Sequence, residues 1–234
     1  MELKKLISDH LKKKFRHLKE NSNDANDIRT LCSCRRGAVL EKYSHVLDWS
    51  LQVEFDQSIL IWHIATDLCY HSYWRDQDAI MSNGKLSKWQ SQYTLYLLVM
   101  CPFMLPMGLG MIRFRDTCAE VTQFFEEHKS IASYSDMSTL DKSQACEILL
   151  NVNTQVPPTK MKGDRRKSVL FDACKHASEL QAISDKNQKW ELISSVWMEM
   201  LVYAACHCRG NYHALRRGGE LLTRVASNGT FWFN

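Results

Sequence analysis

Only four prolines and nine glycines punctuate the 234 residues of this chain, where average usage would supply about 12 and about 16. Between these rare breakers, apolar residues recur at spacings of three and four far more often than at two, which is the period of a helix face and not of a strand. So few turn formers with that period predict an all-α fold: an irregular multi-helix bundle of about seven to eight helices with no substantial sheet. With 45% hydrophobic and 24% charged residues, the composition is that of an ordinary globular chain, and the length allows a core that needs no disulfide staples.

Leu3, Leu6, Ile7, Leu11, Phe15 and Leu18 form one stripe of a first helix, and a second is expected from about Asp27 to Tyr43. The segment from Ser58 to Trp74 is apolar nearly all round, as a central helix would be, with Asp56 or Ser58 able to cap its start. A polar loop through Asn83 and Gly84 should precede a helix from about Ser87 to Cys101, and Thr117 with Glu120 three residues on reads as a capping box opening a helix to about Ser133. Ser138 with Asp141 opens the next, ending near Asn151. Helices are then expected at about Ser168 to Ile183 and Lys186 to His207, with a last one to about Val225. The domain reading is a basic amphipathic helix at 1–20, one helical domain at 21–225 with a flexible connector at about 152–167, and an atypical tail at 226–234.

Charge is unevenly placed. Residues 1–20 carry Lys4, Lys5, Lys12, Lys13, Lys14, Arg16 and Lys19 against three acids, so the whole net charge of +4 sits there and the remainder is neutral. At about 1 kcal/mol per net charge near anionic lipid, this contributes about 4 kcal/mol, a dissociation constant of ~1 mM. It can orient a protein on a membrane without anchoring it. The alternative is a helix docked by its apolar stripe with solvated lysines. Nucleic acid is not expected as a partner, because no basic and aromatic residues interleave elsewhere. The partners expected are an unidentified protein and an anionic membrane surface.

No secretory signal is seen, since Asp9, His10 and three lysines break the first apolar residues. Nine cysteines, an odd number mostly within helical apolar runs, suit free thiols in an intracellular compartment. The uncharged run from Ser91 to Ile112 is long enough to span a bilayer, but Pro102, Pro106, Gly108 and Gly110 interrupt it. The other reading is a buried helix ending at Pro102 and followed by an apolar loop.

Signatures of common enzymes are missing: there is no Gly-x-Ser-x-Gly elbow, phosphate loop or His-Glu-x-x-His. Neither a catalytic residue nor a cofactor is assigned. Cys32-x-Cys34 and Cys206-x-Cys208, with His207 and His213 nearby, offer zinc-type ligands, but the one-residue gap is shorter than structural zinc sites use, so no metal is assigned either. His63 and Asp67 lie one turn apart on the central helix, the start of a carboxylate-oriented imidazole. With Glu199 and His213 they form the one polar cluster that a small-molecule binding protein or enzyme would use; a satisfied polar group within a helical core is the alternative. Trp62, Trp74, Trp190, Trp197, Met198 and Met200 stand at core spacings. Arg165-Arg166-Lys167-Ser168 makes Ser168 a candidate phosphorylation site at a helix start, with a solvated basic loop as the alternative.

A resemblance adds to this reading. Val53–Tyr70 (VEFDQSILIWHIATDLCY), Tyr96–Pro106 (YLLVMCPFMLP), Lys167–Cys174 (KSVLFDAC), Trp190–Ile193 (WELI), Val196–Leu201 (VWMEML), Cys206–Gly210 (CHCRG) and Gly218–Thr223 (GGELLT) resemble the plant family catalogued as domain of unknown function 594. Longer members carry an N-terminal membrane region, domain of unknown function 4220. The family supplies no site residues to transfer. The resemblance implies a helical C-terminal part of a membrane protein, at the cytosolic face of a membrane or free in the cytosol. Two departures are the missing multi-span half and the unusual ending from Ala226 to Asn234. Together these readings predict an interaction or regulatory module.

Overall fold

The computed structural model describes residues 44–72, 82–106, 108–132, 142–155 and 168–208. These form α1 (Ser44–Leu47), α2 (Trp49–Gln52), α3 (Phe55–Ser72), α4 (Ser82–Met100), a 3₁₀ turn (Pro102–Met104), α5 (Gly110–Ala132), α6 (Lys142–Leu150), α7 (Val169–Gln181) and α8 (Lys186–His207). Among the described residues there is no strand, and the protein is an all-α multi-helix fold. The expected elements at 1–43, the start of α6 at Ser138–Asp141, the connector beyond residue 155 and everything after Cys208 lie outside the described residues.

Two helices are apolar on nearly every side and organise the rest. In α3, Phe55 to Trp62 are all buried, and the helix packs against α7, α4, α6, α2 and α5. In α8 the burial runs unbroken from Val196 to Val202, and that helix packs on α4. Trp62, Trp190 and Trp197 are the largest fully buried side chains, each contributing hydrophobic area of about 150–250 Å². Trp197 Nε1 donates to Thr66 Oγ1 at 3.0 Å, and Trp62 Nε1 donates to Ser50 Oγ at 3.0 Å. Both indoles thus keep a partner inside the core, as a buried donor must. Met198 and Met200 are core as well.

The helix starts correct several sequence expectations. α4 begins at Ser82, so Asn83 and Gly84 lie in its first turn and not in a loop. Ser87 Oγ donates to the Asn83 carbonyl at 2.7 Å, and Gly84 is buried. α5 begins at Gly110, seven residues before the apparent capping box. Thr117 is interior, its hydroxyl donating to the Arg113 carbonyl at 2.7 Å, and Glu120 instead accepts from the Leu170 amide at 3.2 Å. A carboxylate from α5 therefore satisfies an orphan donor at the start of α7, where the helix dipole favours it. α3 starts at Phe55, which puts Asp56 and Ser58 inside its first turn: Ser58 Oγ donates to the Ser50 carbonyl, and Asp56 turns to α5.

Two further caps are local. Ser168 caps α7 by accepting from the Phe171 amide at 2.9 Å, and Asp185 caps α8 by accepting from Asn187 and Gln188. α4 ends before Pro102, which cannot continue a helix and biases Cys101 away from it. No helix among the described residues is long and apolar enough to cross a membrane.

Candidate functional site

Among the described residues, three clusters of polar groups stand at helix contacts. Between α3 and α4, His63 Nδ1 lies 2.8 Å from Ser91 Oγ, and Asp67 pairs with Lys88. The Lys88 ammonium also sits 5.4 Å from the centre of the Tyr70 ring. His63 and Asp67 share a face of α3, as their spacing implies, but each reaches a separate side chain of α4. Glu199 is buried on α8, and His213 lies outside the described residues. His207 accepts or donates within its own helix, 2.9 Å from the Tyr203 carbonyl, and stacks on the Tyr203 ring.

Around these pairs the inner side of α4 is markedly polar. Ser87, Gln90, Ser91 and Thr94 are all fully buried. Ser194 of α8 donates to Gln90 Oε1 at 3.3 Å, and Thr94 donates back to the Gln90 carbonyl at 2.8 Å. Small hydroxyl residues let the helices approach closely while the hydroxyls find acceptors.

The second cluster surrounds His176 on α7. Its ring is fully buried, 4.4 Å from the Trp62 ring centre and 5.8 Å from that of Trp49. Glu179 comes within 3.6 Å of Nδ1, too far for a hydrogen bond. That carboxylate instead accepts from Trp49 Nε1 at 3.0 Å, while Lys175 lies 3.9 Å from its other oxygen and 4.9 Å from the Trp49 ring centre. Burial pushes the His176 imidazole below its ordinary value, outweighing the opposing pull of Glu179. The ring is therefore held neutral between two indoles.

The third cluster joins α3 to α5. Arg113 Nε lies 3.2 Å from Asp56 Oδ2, and its terminal nitrogen donates to Gln57 Oε1 at 3.3 Å. Asp56 Oδ1 also accepts from the Gln57 amide. Gly108 and Gly110 permit this approach: a β-carbon at Gly108 would stand 3.2 Å from the Asp56 carboxylate, and one at Gly110 would stand 2.5 Å from Leu98 Cδ1.

The thiols are quiet by the same logic. Burial pushes both Cys69 and Cys174 up to about 12, the nearby Lys189 only partly offsetting it at Cys69. Since the thiolate is the nucleophile and metal ligand, these two cysteines behave as small apolar groups at neutral pH. Cys206 is exposed and Cys208 buried at the end of α8, while Cys32 and Cys34 lie outside the described residues. Among the described residues no group of three or more His, Cys, Asp or Glu side chains gathers as a metal site would require.

His176 and Lys189, the latter 1% exposed, were missed from sequence although the signal was present. His176 falls in phase with the buried Val169, Ala173 and Leu180, and Lys189 with Ile193, Val196 and Met200. A polar residue at a core position of the stripe marks a buried polar group.

The class this fold defines is an all-α multi-helix domain whose described polar groups knit helices together. Residues 182–227 match the family described as protein of unknown function, DUF594, and that match supports the DUF594 assignment drawn from the motifs. It takes in the Asp185 cap and all of α8. Searches of curated proteins and of solved structures returned no match.

Proposed function

We propose that this protein is an interaction or regulatory module that works at the cytosolic side of a membrane. The observation that carries this reading is the inertness of the buried polar clusters. His176 is sealed and neutral, Cys69 and Cys174 are held as thiols, and His63, Asp67 and Arg113 are engaged in helix contacts. Groups arranged in that way stabilise a fold and leave recognition to the surface. The basic stripe of residues 1–20 supports the membrane part of the proposal.

The test is proximity labelling in cells by the full chain fused to a promiscuous biotin ligase, together with membrane fractionation. Labelled proteins should be membrane proteins with cytosolic domains and their soluble neighbours. Labelling confined to lumenal proteins, or a chain recovered wholly away from membranes with no membrane neighbours, overturns the proposal.

A further inference from the structure

α4 has one buried and one exposed face. At 100° per residue, Ser87, Gln90, Ser91 and Thr94 share the side turned to α3 and α8 with Leu86, Leu97 and Leu98, and all are buried. Trp89, Tyr93, Tyr96 and Met100 follow one another at spacings of four, three and four, within an arc of about 60° on the other side, where Tyr93 packs partly against the core. Trp89 is 38% exposed, Tyr96 42% and Met100 65%, and Phe103 in the following 3₁₀ turn reaches 67%. Tyr93 and Tyr96 stack along the stripe with ring centres 6.3 Å apart. A row of large aromatic and apolar side chains exposed on one helix face marks an interaction surface.

The charges beside this stripe select the surrounding. From Ser82 to Met104, α4 and the 3₁₀ turn contain no Asp or Glu, and their two cations are Lys85 and Lys88. Lys88 is taken up by Asp67, which leaves Lys85 exposed. Lys85 lies on the stripe's own side of α4, one turn before Trp89. A second copy of the same face would set positive charge against positive charge with no acid on either side, so self-association is disfavoured. A surface that is apolar inside and negative at its rim complements it. Trp and Tyr rings favour the headgroup level of a bilayer, and no helix among the described residues is long and apolar enough to cross one.

We infer that the outer face of α4, from Lys85 through Trp89, Tyr96 and Met100 to Phe103, is a docking surface for an anionic lipid bilayer, lying along the interface without crossing it. This inference rests on the membrane reading above and names the surface responsible. It adds an aromatic surface to the basic amphipathic segment read at residues 1–20.

The experiment is co-sedimentation of the full chain with phosphatidylcholine vesicles, with and without phosphatidylserine. Three variants are compared with the wild type: W89S/Y96S/M100S, K85E, and K12Q/K13Q/K14Q. The stripe variant should lose partitioning at least tenfold while keeping its helical circular dichroism, and Met100→Ser alone should lose a measurable part. The Lys85 variant should lose part of the preference for phosphatidylserine. If partitioning survives both changes on α4 but is lost in the N-terminal lysine variant, the membrane reading stands and this surface is wrong. If the wild type ignores both vesicles, or if the stripe substitutions disperse a dimer or release an acidic protein partner without changing partitioning, the inference is overturned.

Discussion

Titration of His176 should make this protein lose stability toward acid by a calculable amount. The imidazole is fully buried between Trp62 of α3 and Trp49 of α2, and the nearest carboxylate, Glu179, is already occupied by Trp49 and Lys175. Its folded value is lowered by burial, so as pH falls the unfolded chain takes up the proton first. Stability is then intact above the ordinary imidazole value of about 6.5 and declines below it, by up to 1.4 kcal/mol per pH unit, until the folded ring itself is protonated. For a ring that stays neutral in the fold, the loss reaches a ceiling of about 2 kcal/mol at pH 5. Urea unfolding followed by tryptophan fluorescence at pH 8, 7, 6 and 5, on wild type and His176→Phe, isolates the effect, because every other titration is common to both. The wild type should lose more stability than the variant between pH 7 and pH 5. Parallel curves, or a wild type that gains on the variant in acid, would refute a buried neutral His176.

Three further outcomes follow from the same packing. Gly110→Ala puts a methyl 2.5 Å from Cδ1 and 3.3 Å from Cγ of the buried Leu98, and should destabilise by about 1–3 kcal/mol in urea unfolding; an unchanged midpoint would contradict the close approach of α5 to α4. Arg113→Met leaves the nearly buried Asp56 carboxylate without its cation and should cost about 3 kcal/mol, the lower end of the buried-pair range because Arg113 is partly exposed. Adding Asp56→Asn should recover part of that loss, and a double variant as unstable as the sum would count against the pairing. In peptide-resolved labelling with iodoacetamide at pH 8, Cys118 and Cys206 should react in the folded state and Cys69 and Cys174 only after unfolding.

Helix positions were legible wherever the signal was local. α8 was read at its observed bounds, Lys186 and His207, because its apolar run is continuous, and the structure adds the Asp185 cap at its start. Thr117 and Glu120 misled because a capping box is only a spacing: here Gly108 and Gly110 let α5 begin earlier against Asp56 and Leu98, and Glu120 was taken by α7. Asn83-Gly84 misled similarly, since a turn dipeptide is only a local preference and both residues lie inside α4. The partners of His63 and Asp67 depended on how α4 lies over α3, which no local pattern encodes. The exposed face of α4 was hidden for the same reason. Both of its faces mix polar and apolar residues, and only the packed structure tells which one is turned inward.

That exposed face joins the sequence to the proposed role. A cationic N-terminal segment worth about 4 kcal/mol near anionic lipid is too weak to hold the chain alone, and on the inference above the α4 face with Lys85 at its start adds a second contact. Both contacts together would give a reversible, charge-dependent attachment, with the buried clusters keeping the helices in register.

The most direct measurement is quenching of tryptophan fluorescence by nitroxide-labelled lipids in phosphatidylserine-containing vesicles, comparing wild type with Trp89→Phe. With α4 lying in the interface, lipid-borne nitroxide should quench a component of the wild-type emission that Trp89→Phe removes, while Trp62, Trp190 and Trp197, fully buried, stay unquenched. Equal quenching in the two proteins under conditions where both bind the vesicles would contradict the account.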